Sequence, residues 1–296
     1  MYSDEELERF REAGRITAGA REYGKGLIRV GASLREVTDL IEEKIVGLGG
    51  DMAFPVQISF NHTAAHNCPG PNDGTLFSTG DVLKLDLGAH VDGYVADTAV
   101  TIDLGSHSKL VAASEEALKN AIRIIKPGVT LGAIGKVIQD SIVGYGYVPI
   151  KNLSGHGVGR FSVHTAPQIP NYDNGDDTCV EEGMVFAIEP FATDGQGMVV
   201  EGDSAEIFMI EDKKPVRSPI TRLVLREIEK FNGLPFTTRW LTRKMPYFKV
   251  NFALKELTEK GILRLYPPLN DKAKGLVSQA EHTVLVTGGG CEVLTK

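Results

Sequence analysis

Aspartates open and close the segment DLGAHVDGYVAD, residues 86–97. Between them, Asp92-Gly93 is a strong hairpin-turn signal flanked by strand-like residues. A chain folding back about Val91-Asp92 sets Asp86 directly across from Asp97. Two like charges facing each other across a strand pair repel, and one carboxyl would be driven up in pKa until it held a proton. A divalent cation removes that conflict and makes both charges useful. Further donors follow along the chain: His156 and His164 in NLSGHGVGRFSVH, Glu189 in AIEPF and Glu281 in QAEHTV. The glycines around His156 allow the backbone to approach a crowded centre. Strand alternation turns His282 away from the side that Glu281 faces. Glu281 is the one expected at the site, because each of several converging strands then contributes one acid. Two Asp, two Glu and one His suit a two-cation centre, which needs bridging carboxylates and few neutral ligands. Oxygen donors with one imidazole admit Co, Mn, Fe(II) or Zn.

The elements that must position these residues repeat. RVGASLREVTDLIEEKIVGLGG (29–50) and KPGVTLGAIGKVIQDSIVGYGY (126–147) align at a constant offset of 97, sharing Gly31/Gly128, Leu34/Leu131, Ile41/Ile138, Ile45/Ile142 and Gly49/Gly146 among others. Each reads as a capped amphipathic helix ending in glycine, with Ser33 and Glu36 forming a capping box in the first copy and Thr130 as N-cap in the second. Strand-like sequence follows each helix: GDVLKLD (80–86) and GMVFAIE (183–189) both run from a glycine to an acid six residues on. Asp86 and Glu189 are therefore equivalent positions in two copies of one unit, packed about a pseudo-two-fold axis with a site at the junction. The fold class is α/β (α+β), with helices over 4–48 and 108–145 and strands over 54–104, 148–210 and 276–286.

Between the last two strand regions lies a piece of different character. Residues 213–274 hold 15 Lys and Arg against 5 Asp and Glu, while the whole chain has a net charge of −7. Residues 211–270 read as about three short helices followed by LRLYPP, a winged-helix-like subdomain inserted into a catalytic domain made of 1–210 and 271–296. Such modules often bind nucleic acid, but fold alone does not carry function. The three cysteines have no paired spacing, which suggests a reducing compartment. The acidic, helix-like N-terminus lacks a signal peptide's apolar core, and no apolar run is long enough for a membrane span. The expected location is the cytoplasm.

In order, spacing and context, Asp86, Asp97, His156, Glu189 and Glu281 resemble the metal ligands of methionine aminopeptidases. KLDLGAHVDGYVADTAV, NLSGHGVGRFSVH, FAIEPF and AEHTV carry the likeness, and AFPVQISFNHTAAHNCP resembles the segment that holds a catalytic histidine, which falls on His66. The resemblance covers essentially the whole chain. The insert resembles that of the type II subclass, and the short N-terminus resembles archaeal members. The resemblance implies a pita-bread fold and two divalent ions. Asp97 and Glu281 would bridge them, Asp86 would hold one, and His156 with Glu189 would complete the other. It implies a metal-activated hydroxide as nucleophile and Glu189 as proton carrier. His66 and His164 would contact substrate and the developing oxyanion. Phe54, Val163 and Phe191 would line the methionine pocket. The implied activity is removal of initiator methionine from nascent polypeptide N-termini whose second residue is small, by a monomer with no DNA or membrane partner. The charge count, rather than the resemblance, leads to the expectation that the basic insert walls the cleft with its basic face near ribosomal RNA. The chain departs from the type II pattern after the AAH histidine, where Asn67, followed by Cys68, stands in place of an aromatic. GHGVGR is shared with prolidase-like and aminopeptidase-P-like relatives, so cleavage of bonds involving proline is the rival activity. A non-catalytic binding platform and a DNA reader are the other two readings.

Overall fold

The computed structural model describes residues 2–296. Helix α1 (Asp4–Leu27) starts at Ser3, whose hydroxyl accepts from the Glu6 amide while the Glu6 carboxylate accepts from the Ser3 amide. Asp4, Glu5 and Glu6 in its first turn complement the helix dipole. Helix α2 (Leu34–Gly47) and helix α4 (Leu131–Gly144) begin and end at positions related by the offset of 97. Ser33 and Thr130 cap them by accepting from the Glu36 and Ala133 amides. Only half of the expected capping box forms on α2, since Ser33 receives its bond without a return bond from the Glu36 side chain. Helix α3 (Ser108–Ile124) precedes α4 as α1 precedes α2.

The repeat extends beyond the helices. The Gly31 amide donates to the Phe77 carbonyl and the Gly128 amide to the Val180 carbonyl. Leu34 and Leu131 donate likewise to Thr75 and Thr178. Here the offset of the acceptors is 103, the offset that relates Asp86 to Glu189. The second copy thus absorbs its extra residues between helix and return strand, leaving the acid in an equivalent place.

Nine of the strands form one curled, antiparallel sheet. Its main path runs Asp51–Met52, Val82–Val91, Tyr94–Asp103, Glu281–Thr287, Val185–Ile188, Ser154–Gly159, Ser162–Pro170. Where the halves meet, Thr98 pairs with His282 and Ala99 with Glu281. Exchanging the two strands about the Thr98–His282 pair brings Asp97 onto Glu281, so these acids are a second symmetry-related pair. Alternation then sorts the faces. Leu83, Leu85, Leu87 and Ala89 enter one core together with residues of α1 and α2. Phe186 and Ile188 enter another with residues of α3 and α4. The alternate positions, Asp86 and Glu189 among them, face away from the helices.

Residues between the Val199–Glu201 and Leu269–Asp271 strands build a third core. A small sheet of Ile207–Ile210, Phe236–Thr237 and Leu263–Tyr266 packs against α5 (Pro219–Ile228), α6 (Thr238–Thr242) and α7 (Tyr247–Glu259) through Phe208, Val224, Phe236, Trp240, Leu254 and Leu263. Its attachment to α2 is ionic. Arg239 makes two 2.7 Å hydrogen bonds to Glu42 and also pairs with Asp39, and the Trp240 indole donates to Glu42 at 2.9 Å. Among the described residues, no helix is long and apolar enough to cross a membrane.

Candidate metal centre

The hairpin that opened the sequence reading forms, with a different register. Asp92 and Gly93 have φ of 51° and 92°, the pair of positive values that a two-residue type I′ turn requires. Val91 therefore pairs with Tyr94, Asp86 with Ala99 and Gly88 with Asp97. Asp86 and Asp97 are diagonal neighbours on one face, not directly opposed, because the turn centres one residue later than expected. Ala99 and Thr283 share that face with Asp97, as does Glu281, which pairs with Ala99. Thr283 braces the arrangement: its hydroxyl accepts from the Asp97 amide and donates to the Asp97 carbonyl, both at 2.8 Å.

His156 reaches this face from the Ser154–Gly159 strand, which pairs with Val185–Ile188. A Cβ on Gly155 would lie 2.3 Å from the Ala187 carbonyl oxygen, and one on Gly157 would lie 2.2 Å from that of Ala166. Both contacts are with backbone, so the strands close around His156 only because glycine flanks it. Gly155→Ala should cost about 1–3 kcal/mol through overpacking, measured as a lower midpoint in urea unfolding. An unchanged midpoint would show that the strands have room to spare.

One ligand atom from each of Asp97, His156 and Glu281 falls within a 4.8 Å cluster. His156 Nε2 lies 3.8 Å from Asp97 Oδ2 and 3.7 Å from Glu189 Oε1, too far for hydrogen bonds. Its Nδ1 lies 3.2 Å from the Gly157 carbonyl, which can only accept. Nδ1 thus carries the proton, and the Nε2 lone pair points among the carboxylates, the orientation a metal-binding imidazole has. Gln279, fully buried, donates from Nε2 toward Asp86, Glu189 and Glu281 at 3.2–3.5 Å. Asp97 Oδ1 and Glu281 Oε1 are buried without any hydrogen-bond partner. Among the described residues, no Lys or Arg pairs with any of the four acids.

Such a cluster is poorly tolerated without cations. Burial pushes Asp86 up to about 6, against the Gln279 bond that lowers it. Burial and then the Asp86 charge hold Asp97 well above the usual carboxylate range. Burial, then Asp86 and Asp97, do the same to Glu189, and burial followed by Asp97 and Glu189 raises Glu281. Burial, and then His164, lowers His156 to about 3, so it stays neutral and available as a donor. Two unpartnered oxygens, an oriented lone pair and four acids without a counter-cation fit divalent cations. Because the folded acids retain protons that a cation must displace, binding should release protons at pH 6 and weaken as pH falls. Calorimetric titration with Mn(II) in two buffers of different ionisation enthalpy measures this. Identical heats in both would contradict it.

The acids lie at the base of a cleft of about 1030 Å³, which His66, His164, Phe54, Val163 and Phe191 also line. Phe54, Val163 and Phe191 are buried, at 4%, 6% and 1% exposure. His164 meets His156 edge-on at 4.3 Å between ring centroids. His66 sits at φ 66°, unusual for a residue with a side chain. Its amide donates to Gln57 Oε1 at 2.7 Å, and its Nδ1 lies 3.2 Å from the Pro267 carbonyl. Burial, followed by the charges of His164 and Arg264, sets against this last bond and brings His66 down to about 4. Neutral, with Nδ1 donating to Pro267, His66 presents Nε2 as an acceptor. Asn67 is turned from the cleft by its bond to the Ile58 carbonyl, and Cys68 is buried against Thr237.

Several cleft residues were not singled out from sequence. Gln279 lies two positions before Glu281, and Gln57 pairs with Asp86 across the sheet. Strand alternation was the signal for Gln279; Gln57 needed the sheet register. Arg264 and Tyr266 also line the cleft, and only tertiary structure separates Arg264 from the other basic residues around it.

Comparison with known proteins places this geometry in context. The profile of metallopeptidase family M24 matches residues 8–288. A methionine aminopeptidase from Archaeoglobus fulgidus is 45% identical over 294 residues, covering 99% of each chain. One from Methanocaldococcus jannaschii is also 45% identical, again over 99% of each. The crystal structure of a methionine aminopeptidase from Thermotoga maritima superposes with a TM-score of 0.74 at 26% identity, covering 100% of this chain and 98% of that one.

Proposed function

The chain belongs to metallopeptidase family M24, and we propose that it removes N-terminal methionine from polypeptides in a metal-dependent reaction, favouring a small second residue. The observation that carries this reading is the buried face of four acids and one neutral imidazole, with two carboxylate oxygens unpartnered, at the base of an open cleft. Asp86, Asp97, His156, Glu189 and Glu281 would hold the divalent cations, with Asp97 and Glu281, the pair related by the pseudo-symmetry, at the centre of the donor set. Cations bound there supply Lewis-acid polarisation and bring the pKa of a water close to neutrality. Co, Mn, Fe(II) and Zn all suit the donors.

This chain's own residues do the rest. Glu189, at the edge of the cluster and partly open to the cleft, accepts the proton of the attacking water and returns it to the leaving amine. His164 donates to the developing oxyanion. His66, with Nδ1 committed to Pro267, accepts from an N–H of the substrate. Phe54, Val163 and Phe191 supply an apolar slot for the methionine side chain. Recognition of the free α-amine among the acids restricts cleavage to the first bond, and a bulky second side chain clashes with the narrow base of the cleft.

The metal-loaded chain should cleave Met-Ala-Ser and leave Ala-Pro-Ser largely intact. Faster cleavage of the proline peptide would replace this reading with an X-Pro peptidase. Residues 211–270 act as an inserted winged-helix-like subdomain, supported by their excess positive charge and by a core that they share with Phe208 and Ile210 of the preceding strand. We place the enzyme in the cytoplasm as a monomer. Its insert contacts the ribosome through the exposed Phe248, Phe252 and Lys255 and the half-buried Lys249 of α7. Co-sedimentation with ribosomes that survives reversal of those lysines would remove the ribosome contact from the account.

A further inference from the structure

The cleft wall built by the insert carries a charge that neither the acid cluster nor the methionine slot uses. Ile207 pairs with Tyr266 and Met209 with Arg264. These four side chains therefore share one face of the small sheet, and all four line the cleft. Phe208 and Leu263 belong to the core of the insert on the other side. Arg264 is exposed, and its guanidinium lies 5.2 Å from the centroid of the Tyr266 ring. Tyr266 in turn meets His66 edge-on at 5.5 Å. Stacking fixes the plane of the guanidinium but uses none of its N–H groups. Among the described residues the Arg264 side chain makes no ion pair and no hydrogen bond. It is close enough to His66 and His164 for its charge to help lower both.

Apart from the acid cluster and Arg264, Glu201 is the other Asp, Glu, Lys or Arg among the described residues that line the cleft. It lies on the strand paired with Leu269–Asp271, in a different sheet from Arg264. A planar fork of free donors on an aromatic support matches a carboxylate better than any other common peptide group. The first side chain of the substrate occupies the apolar slot and the second is small. The first side chains able to reach the wall are then the third and fourth, with an extended chain advancing about 3.3 Å per residue.

Resting on the exopeptidase reading above, we infer that Arg264 is a specificity residue that pairs with an acidic side chain at the third or fourth position of the polypeptide. The pair is water-exposed, so the preference is modest: about fivefold for Glu over Lys in kcat/KM, carried by KM. It should shrink in 0.5 M KCl.

The test uses the metal-loaded full chain and four amidated peptides, Met-Ala-Glu-Ser, Met-Ala-Lys-Ser, Met-Ala-Ser-Glu and Met-Ala-Ser-Lys. Wild type should favour the Glu member of at least one pair. Arg264→Gln should bring the Glu/Lys ratio near one, and Arg264→Glu should invert it, an outcome that a merely structural role would not produce. No preference in wild type, or a ratio unchanged in both variants, overturns the inference while leaving the exopeptidase reading intact. Failure to cleave any of the four overturns that reading and this inference with it.

Discussion

Asp97→Asn should lower methionine release by on the order of 10³-fold or more while making the metal-free protein more stable. The two effects have one cause. Asp97 is 3% exposed, its Oδ1 has no partner, and it shares a face with three other acids. Burial and the Asp86 charge keep its proton on well above the usual carboxylate range, so at neutral pH the folded state carries a protonation cost that the unfolded chain lacks. Asparagine removes that cost without changing shape. The gain should appear as a higher unfolding midpoint of the chelated variant at pH 7.5. The variant also lacks the anionic oxygens that would draw in a cation, so the thermal stabilisation that Mn(II) gives the wild type should be largely lost. Thermal unfolding with and without Mn(II), alongside Met-Ala-Ser hydrolysis, reads all three quantities. A variant that keeps its activity, or that is less stable than wild type without metal, would show that Asp97 is a structural acid.

The second large effect lies outside the cleft. Glu42→Ala should destabilise the protein by about 3–5 kcal/mol, because it leaves Arg239 buried without its principal partner. Arg239 is 3% exposed and Glu42 1%. Burial by itself would lower the pKa of the guanidinium, and the two bonds to Glu42 more than reverse this. The same carboxylate receives the Trp240 indole and a longer bond from Arg243, so four donors lose an acceptor together. α2 belongs to the main body and Arg239 to the insert, whose sheet forms a wall of the cleft. The variant should therefore bind Met-Ala-Ser more weakly as well as unfold at lower urea. Replacing Glu42 and Arg239 together by Met should recover much of the loss, since a well-packed apolar pair can match a buried ion pair. If Glu42→Ala alone costs less than about 1 kcal/mol, the insert is held by other contacts.

Much of the frame was legible because duplication leaves a trace that needs no alignment. A constant offset tied α2 to α4, and the shared glycine-to-acid spacing of the following strands tied Asp86 to Glu189. The equivalence of Asp97 with Glu281 was not legible, since it depends on Thr98 pairing with His282 across 184 positions of chain. The hairpin shows the limit at short range. Asp92-Gly93 was evident as a turn, but a one-residue difference in its centre moved Asp97 from opposite Asp86 to opposite Gly88. Alternation still kept both acids on one face, which is why the metal proposal tolerates the change. Arg264 marks the limit at long range. In sequence it is one of 15 basic residues in a charged stretch. Only pairing with Met209 puts it on the face that meets the cleft.

The central claim is that the acid cluster is a divalent-metal centre acting on N-terminal methionine. The most direct measurement is a titration of the chelated full chain with Mn(II) or Co(II), following bound metal by calorimetry and Met-Ala-Ser hydrolysis in the same samples. Hydrolysis should be negligible without metal, recover in step with site filling, and saturate near two ions per chain. Full hydrolysis by protein verified to be free of metal, or metal binding that leaves hydrolysis absent, would contradict it.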